Sequence, residues 1–282
     1  MIFFRSIGYL GRLGNQMFQF ASAVGIARKK GYGVSFPVEN CFRFAGGGPI
    51  DPKTGSLMRV KCDILDCFEV PDGYFKSIVE INPEVVYQEV DFKFNPQVLA
   101  LPPGVDLYGH FQDERYFKEI KEEILRCFTF KKEHLENSQN YWENNIVPFL
   151  EGKSTVSLHV RRGDYTVYPD HHPTCSREYY QTAIEKIGRK DHKFLVFSDD
   201  IEWCSSEFSG EDFLIINSGS PYVDLKIMVD CNHHIIANSS YSWWGAWLDQ
   251  KLGKRVIAPS KWFGPAINKD SSEIYCDGWE VI

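Results

Sequence analysis

The sequence predicts an α/β protein with two Rossmann-like domains that face a cleft. From about residue 155 the chain alternates short β-branched runs with helical patterns, which is typical of βαβ units in a parallel sheet. The N-terminal half opens in the same order, as strand, polar loop and helix. The chain has 282 residues, more than the ~250 at which single cores tend to split. We therefore expect domains at 1–152 and 153–282.

The first domain is predicted to begin with a strand at Ile2–Ile7, followed by a glycine-rich polar loop. A helix should run from Asn15 to about Lys30, because apolar side chains recur near one of its faces, and Gly31 should end it. Residues 40–56 contain clustered glycine and proline, which predicts an exposed excursion. A polar, helix-like stretch at His134–Asn145 precedes the expected domain boundary.

The second domain should contain five strands and the helices between them. Ser176 is a good N-cap for a helix to about Ile187, with Gly188 as its stop. Further helices are predicted at Asp224–Asp230 and at Ser242–Leu252, the latter closed by Gly253. The predicted strands are Val156–Val160, Phe194–Ser198, Phe213–Asn217, His234–Asn238 and Arg255–Ala258.

Composition excludes several classes of protein. A hydrophobic content of 43% and an aromatic content of 15% exclude disorder. No apolar run approaches the ~20 residues of a membrane-spanning helix, and no secretory signal is visible. We therefore expect a cytoplasmic protein with eight reduced cysteines. Peripheral membrane contact is not indicated, and the lack of a basic stripe argues against nucleic acid as a partner.

The segment HVRRGDY, residues 159–165, stands where a predicted strand ends. Arg161 and Arg162 offer fork-like donors that match phosphate oxygens at any working pH. The chain is acidic overall, with 31 Lys+Arg against 38 Asp+Glu, so an anionic ligand would need such local positive charge. The alternative is an ordinary ion pair with nearby carboxylates.

Two other polar motifs follow strands of the same predicted sheet. In Ser198-Asp199-Asp200, a carboxylate could accept the N–H donors of guanine, or it could simply cap the next helix. In Asn238–Ser242, hydroxyl and backbone N–H groups stand at a helix start, where phosphate binds well, although this too could be a cap. Ligands of open parallel sheets bind at the carboxyl ends of the strands, so the three motifs together predict one site.

Two weaker signals do not define a site by themselves. The turn at 11–16 resembles a phosphate-binding loop, but it lacks the GxGxxG pattern and no P-loop lysine follows. The pairs His171-His172 and His233-His234 could suggest a metal, yet adjacent side chains point away from each other. We therefore expect no metal, and a P-loop phosphotransferase is disfavoured.

Several longer segments resemble the α-1,2-fucosyltransferases of glycosyltransferase family 11. The resemblance spans 11–27 and 106–263, and is weaker over 32–105. In order, the segments are GRLGNQMFQFASAVGIA, LYGHFQDERYF, HVRRGDY, CSREYYQTAI, FLVFSDDIEWC, DLKIMVDCNHHIIANSSYSWWGAWL and RVIAPSKWF.

The resemblance implies a GT-B fold and metal-independent, inverting transfer of L-fucose from GDP-β-L-fucose to the 2-hydroxyl of a galactoside. The product would belong to a glycan or surface polysaccharide. In this reading Arg161 and Arg162 hold the diphosphate, and the other donor-site residues lie around it. His159 would lie beside the nucleoside, Asp200 would read guanine, Ser239 and Ser240 would line the phosphate or ribose, and Asn15 would reach the donor from the first domain.

Some alternatives stay open at this point. Asp164 is the nearest carboxylate to serve as general base, but it could equally orient an arginine through a salt bridge. The linkage could be another one, such as α-1,6, or the protein could bind GDP-sugars or glycans without turnover. The acceptor is expected on the first domain, and residues 44–56 are the predicted specificity loop.

Overall fold

The computed structural model describes residues 1–43, 61–267 and 269–282, so the predicted acceptor loop at 44–56 lies outside the described residues. The chain forms two compact units. The first comprises Met1–Lys131 with Lys269–Cys276, and the second Lys132–Asn268 with Asp277–Ile282. No helix in the described ranges has the length and apolar character that crossing a bilayer requires.

The units divide at Lys131/Lys132 instead of at the predicted 152/153. The intervening segment contains helices α4 (Lys132–Tyr141) and α5 (Val147–Leu150), joined by a π-helical turn. Ile146 of that turn is fully buried in a core cluster of the second unit, with Leu195 and Ile227. This apolar burial places 132–152 with the second unit.

The first unit is built on a five-stranded parallel sheet with the order β3-β2-β1-β5-β4. Its strands are β1 (Ile2–Phe3), β2 (Val34–Pro37), β3 (Phe75–Lys76), β4 (Val85–Gln88) and β5 (Val105–Tyr108). Its helices are α1 (Leu13–Arg28), α2 (Ile64–Cys67) and α3 (Lys121–Cys127). The polar α1 residues Gln16 and Gln19 are buried, but their amides donate to backbone carbonyls of neighbouring loops.

The second unit contains a six-stranded sheet with the order β11-β10-β9-β6-β7-β8, again parallel at every pairing. Its strands are β6 (Ser154–Val160), β7 (His192–Ser198), β8 (Phe213–Ile216), β9 (His233–Ile235), β10 (Val256–Ala258) and β11 (Glu280–Val281). The helices that follow α5 are α6 (Arg177–Ile187), α7 (Ile201–Glu207), α8 (Pro221–Asp230) and α9 (Ser240–Leu248).

Local signals predicted most elements of the second unit, but only β1 and α1 of the first. Ser176 caps α6 by accepting from the Tyr179 amide at 3.2 Å, and Gly188 ends that helix. The tryptophans of α9, at 243, 244 and 247, are buried and pack against one another. They are therefore core residues and not an exposed platform for sugars.

Several predicted ends differ from the structure: β9 ends at Ile235 instead of Asn238, and two other ends differ for tertiary reasons. The first strand stops at Phe3 instead of Ile7, because Arg5 turns to Asp106, donating from its backbone and its Nε at 2.8 Å each. Helix α9 ends at Leu248 instead of Leu252, because Asp249 turns inward and accepts from His234 Nε2 at 3.0 Å.

Candidate functional site

Arg161 lies just beyond the carboxyl end of β6, where two carboxylates hold its guanidinium. Its Nη1 lies 2.6 Å from Oδ2 of Asp199, which follows β7, and its Nη2 donates to Asp164. Burial by itself would lower the pKa of Arg161, but Asp199, Tyr165 and Asp164 raise it. The guanidinium is thus a fixed cation at the sheet edge.

Arg162 is held by the second carboxylate of the β7 motif. Its Nε donates to Oδ2 of Asp200 at 2.9 Å, and its backbone N–H donates to Oδ1 of Asp199 at 2.9 Å. The guanidinium carbon lies 4.2 Å from the ring centroid of Trp203, a cation–π geometry. An arginine bound through Nε still carries four N–H donors on its two Nη atoms.

Gly163 allows these strand ends to approach each other. A Cβ atom at this position would collide with the carboxylate of Asp199. The glycine of HVRRGDY is therefore required by the packing of the β6 loop against the β7 loop.

His159 and Tyr165 connect the arginine loop to the start of α9. His159 Nδ1 lies 2.9 Å from Ser242 Oγ, and Tyr165 donates its hydroxyl to the Asn238 carbonyl at 3.1 Å. His159 is only 6% exposed, and burial lowers its pKa to about 4. A neutral His159 thus serves as a packing contact between motifs, and its predicted place beside the nucleoside stays a prediction.

The two helix starts differ in how they are capped. Asp200 caps α7, since its Oδ1 accepts from the Trp203 amide at 3.2 Å. This confirms the helix-cap interpretation of the Ser198-Asp199-Asp200 motif, and the predicted contact with guanine stays a prediction. Ser239 is the N-cap residue of α9, but its side chain makes no cap hydrogen bond. The nine-residue α9 therefore begins without a cap from the Ser239 side chain, and a helix start is a position at which an anion can bind.

Asn15 belongs to the first unit, in the first turn of α1. Its Oδ1 accepts from Gln112 Nε2 at 2.8 Å, and its side chain fills the space that a Cβ on Gly11 would need. Gly11 also has a φ of +96°, so both its backbone conformation and the space beside it favour glycine. The predicted contact of Asn15 with a donor stays a prediction.

The structure adds site residues that the sequence interpretation had not selected. Asp199 contacts both Arg161 and Arg162, although the sequence interpretation selected only Asp200. The Trp203 ring makes a cation–π contact with Arg162. A signal was present, since two adjacent carboxylates after a strand point to different neighbours. Which arginine each carboxylate meets depends on the register of β6 against β7.

The histidine pairs are used in packing. His234 is fully buried between Ser157 Oγ at 2.8 Å and Asp249 at 3.0 Å. His172 stacks on Tyr165, with ring centroids 4.9 Å apart. Across the described ranges, no three His, Cys, Asp or Glu side chains form a group that could hold a metal ion.

The chain is similar in sequence to several known glycosyltransferases. The O-antigen biosynthesis glycosyltransferase WbnK of Escherichia coli is 29% identical, over 95% of this chain and 97% of the relative. An α-1,2-colitosyltransferase of Escherichia coli is 31% identical over 90% of each. Galactoside 2-α-L-fucosyltransferase SEC1 of Bos taurus is 26% identical, over 86% of this chain and 64% of that protein.

Solved structures of similar fold include a fucosyltransferase and a GDP complex. The crystal structure of fucosyltransferase NodZ from Bradyrhizobium has a TM-score of 0.53 at 13% identity, covering 87% of this chain and 92% of that one. POFUT1 in complex with GDP has a TM-score of 0.52 at 13% identity, covering 91% and 97%. Identity this low shows the fold alone.

The two parallel α/β units and the polar strand ends define a glycosyltransferase fold of the GT-B class. The profile of Glycosyl transferase family 11 matches residues 104–282. Together with the 31% identical relative, this match shows that the chain belongs to that family, as the sequence motifs predicted.

Proposed function

We propose that the protein is an inverting fucosyltransferase, which moves L-fucose from GDP-β-L-fucose to the 2-hydroxyl of a galactoside. The observation that carries this proposal is the pair Arg161 and Arg162, which carboxylates hold at the carboxyl end of β6. The similarity to an α-1,2-colitosyltransferase supports the α-1,2 linkage. The product would enter a glycan or surface polysaccharide.

The leaving group of this reaction is a diphosphate that gains charge as the glycosidic bond breaks. Preorganised donors aimed at developing charge lower the barrier without reorganising during the reaction. Arg161 and Arg162 would supply guanidinium N–H groups, and Ser239 and Ser240 at the start of α9 would line the phosphate or ribose. This arrangement needs no metal, and metal independence is part of the proposal.

The local charge balance refines this mechanism. Arg161 and Arg162 meet three carboxylates, those of Asp164, Asp199 and Asp200. Because the carboxylates offset the arginine charge, recognition of a diphosphate would depend on directed hydrogen bonds more than on a net positive field. The ion pairs hold the guanidinium planes, which keeps the loss of side-chain entropy on binding small.

The structure favours a positioning role for Asp164. Its carboxylate contacts Arg161, as expected for a residue that orients the arginine. A base must reach the acceptor hydroxyl at ~2.6–3.2 Å, and Asp164 would have to do so with its other oxygen, since Oδ1 pairs with Arg161. We keep it in the site as the partner of Arg161.

The colitosyltransferase relative favours a second candidate donor. Colitose is the 3-deoxy form of L-fucose, so the two GDP-linked sugars differ by one hydroxyl. A site built to hydrogen-bond that hydroxyl would reject the deoxy sugar strongly, whereas one that does not contact it would accept both. The ratio of kcat/KM for the two donors measures this.

The test is direct. The purified protein is incubated with GDP-fucose and a panel of galactosides in the presence of EDTA, and GDP release and product mass are followed. We expect a fucosylated product whose NMR linkage is α-1,2. An α-1,6 product would correct the linkage alone. GDP binding in calorimetry without transfer or GDP release on any acceptor would instead indicate a binding protein.

The cytoplasmic location expected from the sequence is checked by cell fractionation.

A further inference from the structure

A pocket of about 220 Å³ in the first unit lies beyond the carboxyl ends of β4 and β5. This is the edge at which open parallel sheets bind ligands. The volume is below the ~300–1,000 Å³ typical of sites for drug-sized molecules, so it suits a single sugar ring better than a nucleotide. Four of its nine lining residues are aromatic, namely Tyr87, Phe94, Phe111 and Tyr116, and the polar residues Glu89, Asp91, Lys93 and Asn95 line it as well.

The aromatic walls are fixed by their own contacts. Tyr116 accepts a hydrogen bond from the Asn95 amide at 2.9 Å, and its ring lies 4.9 Å from that of Phe94. The Arg115 guanidinium covers Phe94 at 4.7 Å and also pairs with Glu273. The pocket is therefore largely pre-formed, as ligand sites usually are.

Glu89 is one of the polar residues that line this pocket. Its Oε2 accepts from the His110 amide at 2.7 Å and its Oε1 from the Phe111 amide at 2.9 Å. Each carboxylate oxygen has two lone-pair positions, so both oxygens keep capacity for a further donor. A carboxylate with spare acceptor positions in an aromatic pocket suits a ligand that combines hydroxyl groups with an apolar face.

The ionisation of Glu89 is consistent with a functional group. Burial raises its pKa to about 7, against the lowering effect of the two backbone amides and Lys269. Carboxyl groups whose pKa lies this near neutrality concentrate at functional sites. Glu89 also holds the turn in which Phe111 has a φ of +50°, but that role alone would require neither a pocket nor an aromatic lining.

We propose that this pocket is the acceptor subsite, in which Glu89 accepts a hydrogen bond from a sugar hydroxyl and Phe94 contacts the apolar face of the ring. The proposal rests on the proposed function and gives its acceptor a place. The family match begins at residue 104, so Phe111 and Tyr116 lie within it and the wall at 87–95 precedes it. Variation of that wall would then tune the choice of acceptor.

The test compares Glu89→Gln with the matched control Glu84→Gln. Glu84 is exposed and precedes the opposite, amino-terminal end of β4. Methyl β-galactoside serves as acceptor, and acceptor KM, kcat, GDP affinity and melting temperature are measured for each. We expect Glu89→Gln to raise the acceptor KM about tenfold, roughly 1.4 kcal/mol, with GDP affinity within threefold of the wild type. Glu84→Gln should match the wild type throughout.

Phe94→Leu provides a second variant that leaves the Glu89 hydrogen bonds in place, and it should also raise the acceptor KM. The proposal is overturned if both variants fold and keep the wild-type acceptor KM, or if both weaken GDP binding as much as acceptor binding.

A separate readout distinguishes failure of this proposal from failure of the proposed function. Saturation-transfer NMR with methyl β-galactoside detects sugar binding whether or not fucose is transferred. Binding that is lost in Glu89→Gln and kept in Glu84→Gln supports the subsite even without turnover. If the wild type transfers fucose and Glu89→Gln binds the sugar unchanged, the subsite lies elsewhere and the proposed function stands. No sugar binding by the wild type overturns the subsite.

Discussion

Arg161 and Asp199 form an ion pair of 2.6 Å across the ends of β6 and β7. Because the pair joins neighbouring strands, it fixes the guanidinium relative to the sheet edge. Asp199 also accepts from the Arg162 amide, so one carboxylate orders both residues of the arginine pair.

We therefore expect Asp199→Asn to lower kcat about tenfold, since the amide keeps one acceptor oxygen but loses the charge that holds Arg161. Steady-state kinetics with GDP-fucose and a galactoside measure this. The control is Asp191→Asn, an exposed residue before the other end of β7. Equal kinetics for both variants would contradict a positioning role.

Gly163→Ala should also lower kcat, as Asp199→Asn does, because the added Cβ meets the Asp199 carboxylate.

Arg161→Ala and Arg162→Ala should each reduce the rate more than the stability. Each removes a donor to the leaving diphosphate, and loss of one such transition-state interaction costs roughly 2.7–4 kcal/mol, or about 10²–10³-fold in kcat. Arg189→Ala is the control, an exposed arginine at the opposite edge of the sheet that pairs with Asp212. Wild-type turnover in a folded Arg161 or Arg162 variant would remove the pair from the donor site.

Asp200→Asn separates capping from recognition of the base. Asparagine caps helices about as well as aspartate, so the melting temperature should change little. Affinity for GDP and preference over ADP should fall, because an anionic acceptor that faces two guanine N–H donors is replaced by an amide that is half donor. Competition binding of GDP and ADP measures this. Unchanged discrimination would exclude Asp200 from the base pocket.

Mild acid should destabilise the protein through its buried histidines. Burial lowers the pKa of His234 to about 4, in spite of the bond to Asp249, and Lys254 and Lys251 lower it further. An unfolded histidine has a pKa near 6.5. The contribution of His234 to the free energy of unfolding is therefore fully present above pH ~6.5. It falls by roughly 3 kcal/mol as the pH decreases towards ~4.

The measurement is urea unfolding at pH 7.5 and pH 5 for the wild type and His234→Gln. The variant should have the smaller loss of unfolding free energy between the two pH values. The wild type alone would not isolate His234, because Glu89 has the opposite pH dependence. Burial raises the pKa of Glu89 to about 7, so its contribution to the free energy of unfolding is lost as the pH rises through 4.5–7. Identical pH dependence of the two proteins would show that His234 does not carry the effect.

Much of this fold was predictable because its signals are local. The cap and stop of α6, at Ser176 and Gly188, depend on a few neighbouring side chains. The strands β6 and β7 stand out as buried apolar runs. Since parallel strands end at one edge, the sequence by itself also predicted that the arginine, aspartate and serine motifs belong to one site.

Tertiary packing decided the rest, through contacts between residues distant in the chain. The register of β6 against β7 assigns Asp199 to Arg161 and Asp200 to Arg162. The buried pair of His234 and Asp249 ends α9 early, and Glu89 lines a pocket because it follows β4 and accepts from the loop after β5. A sequence pattern records the preference of each segment, but burial and pairing energies arise only once the segments are in contact.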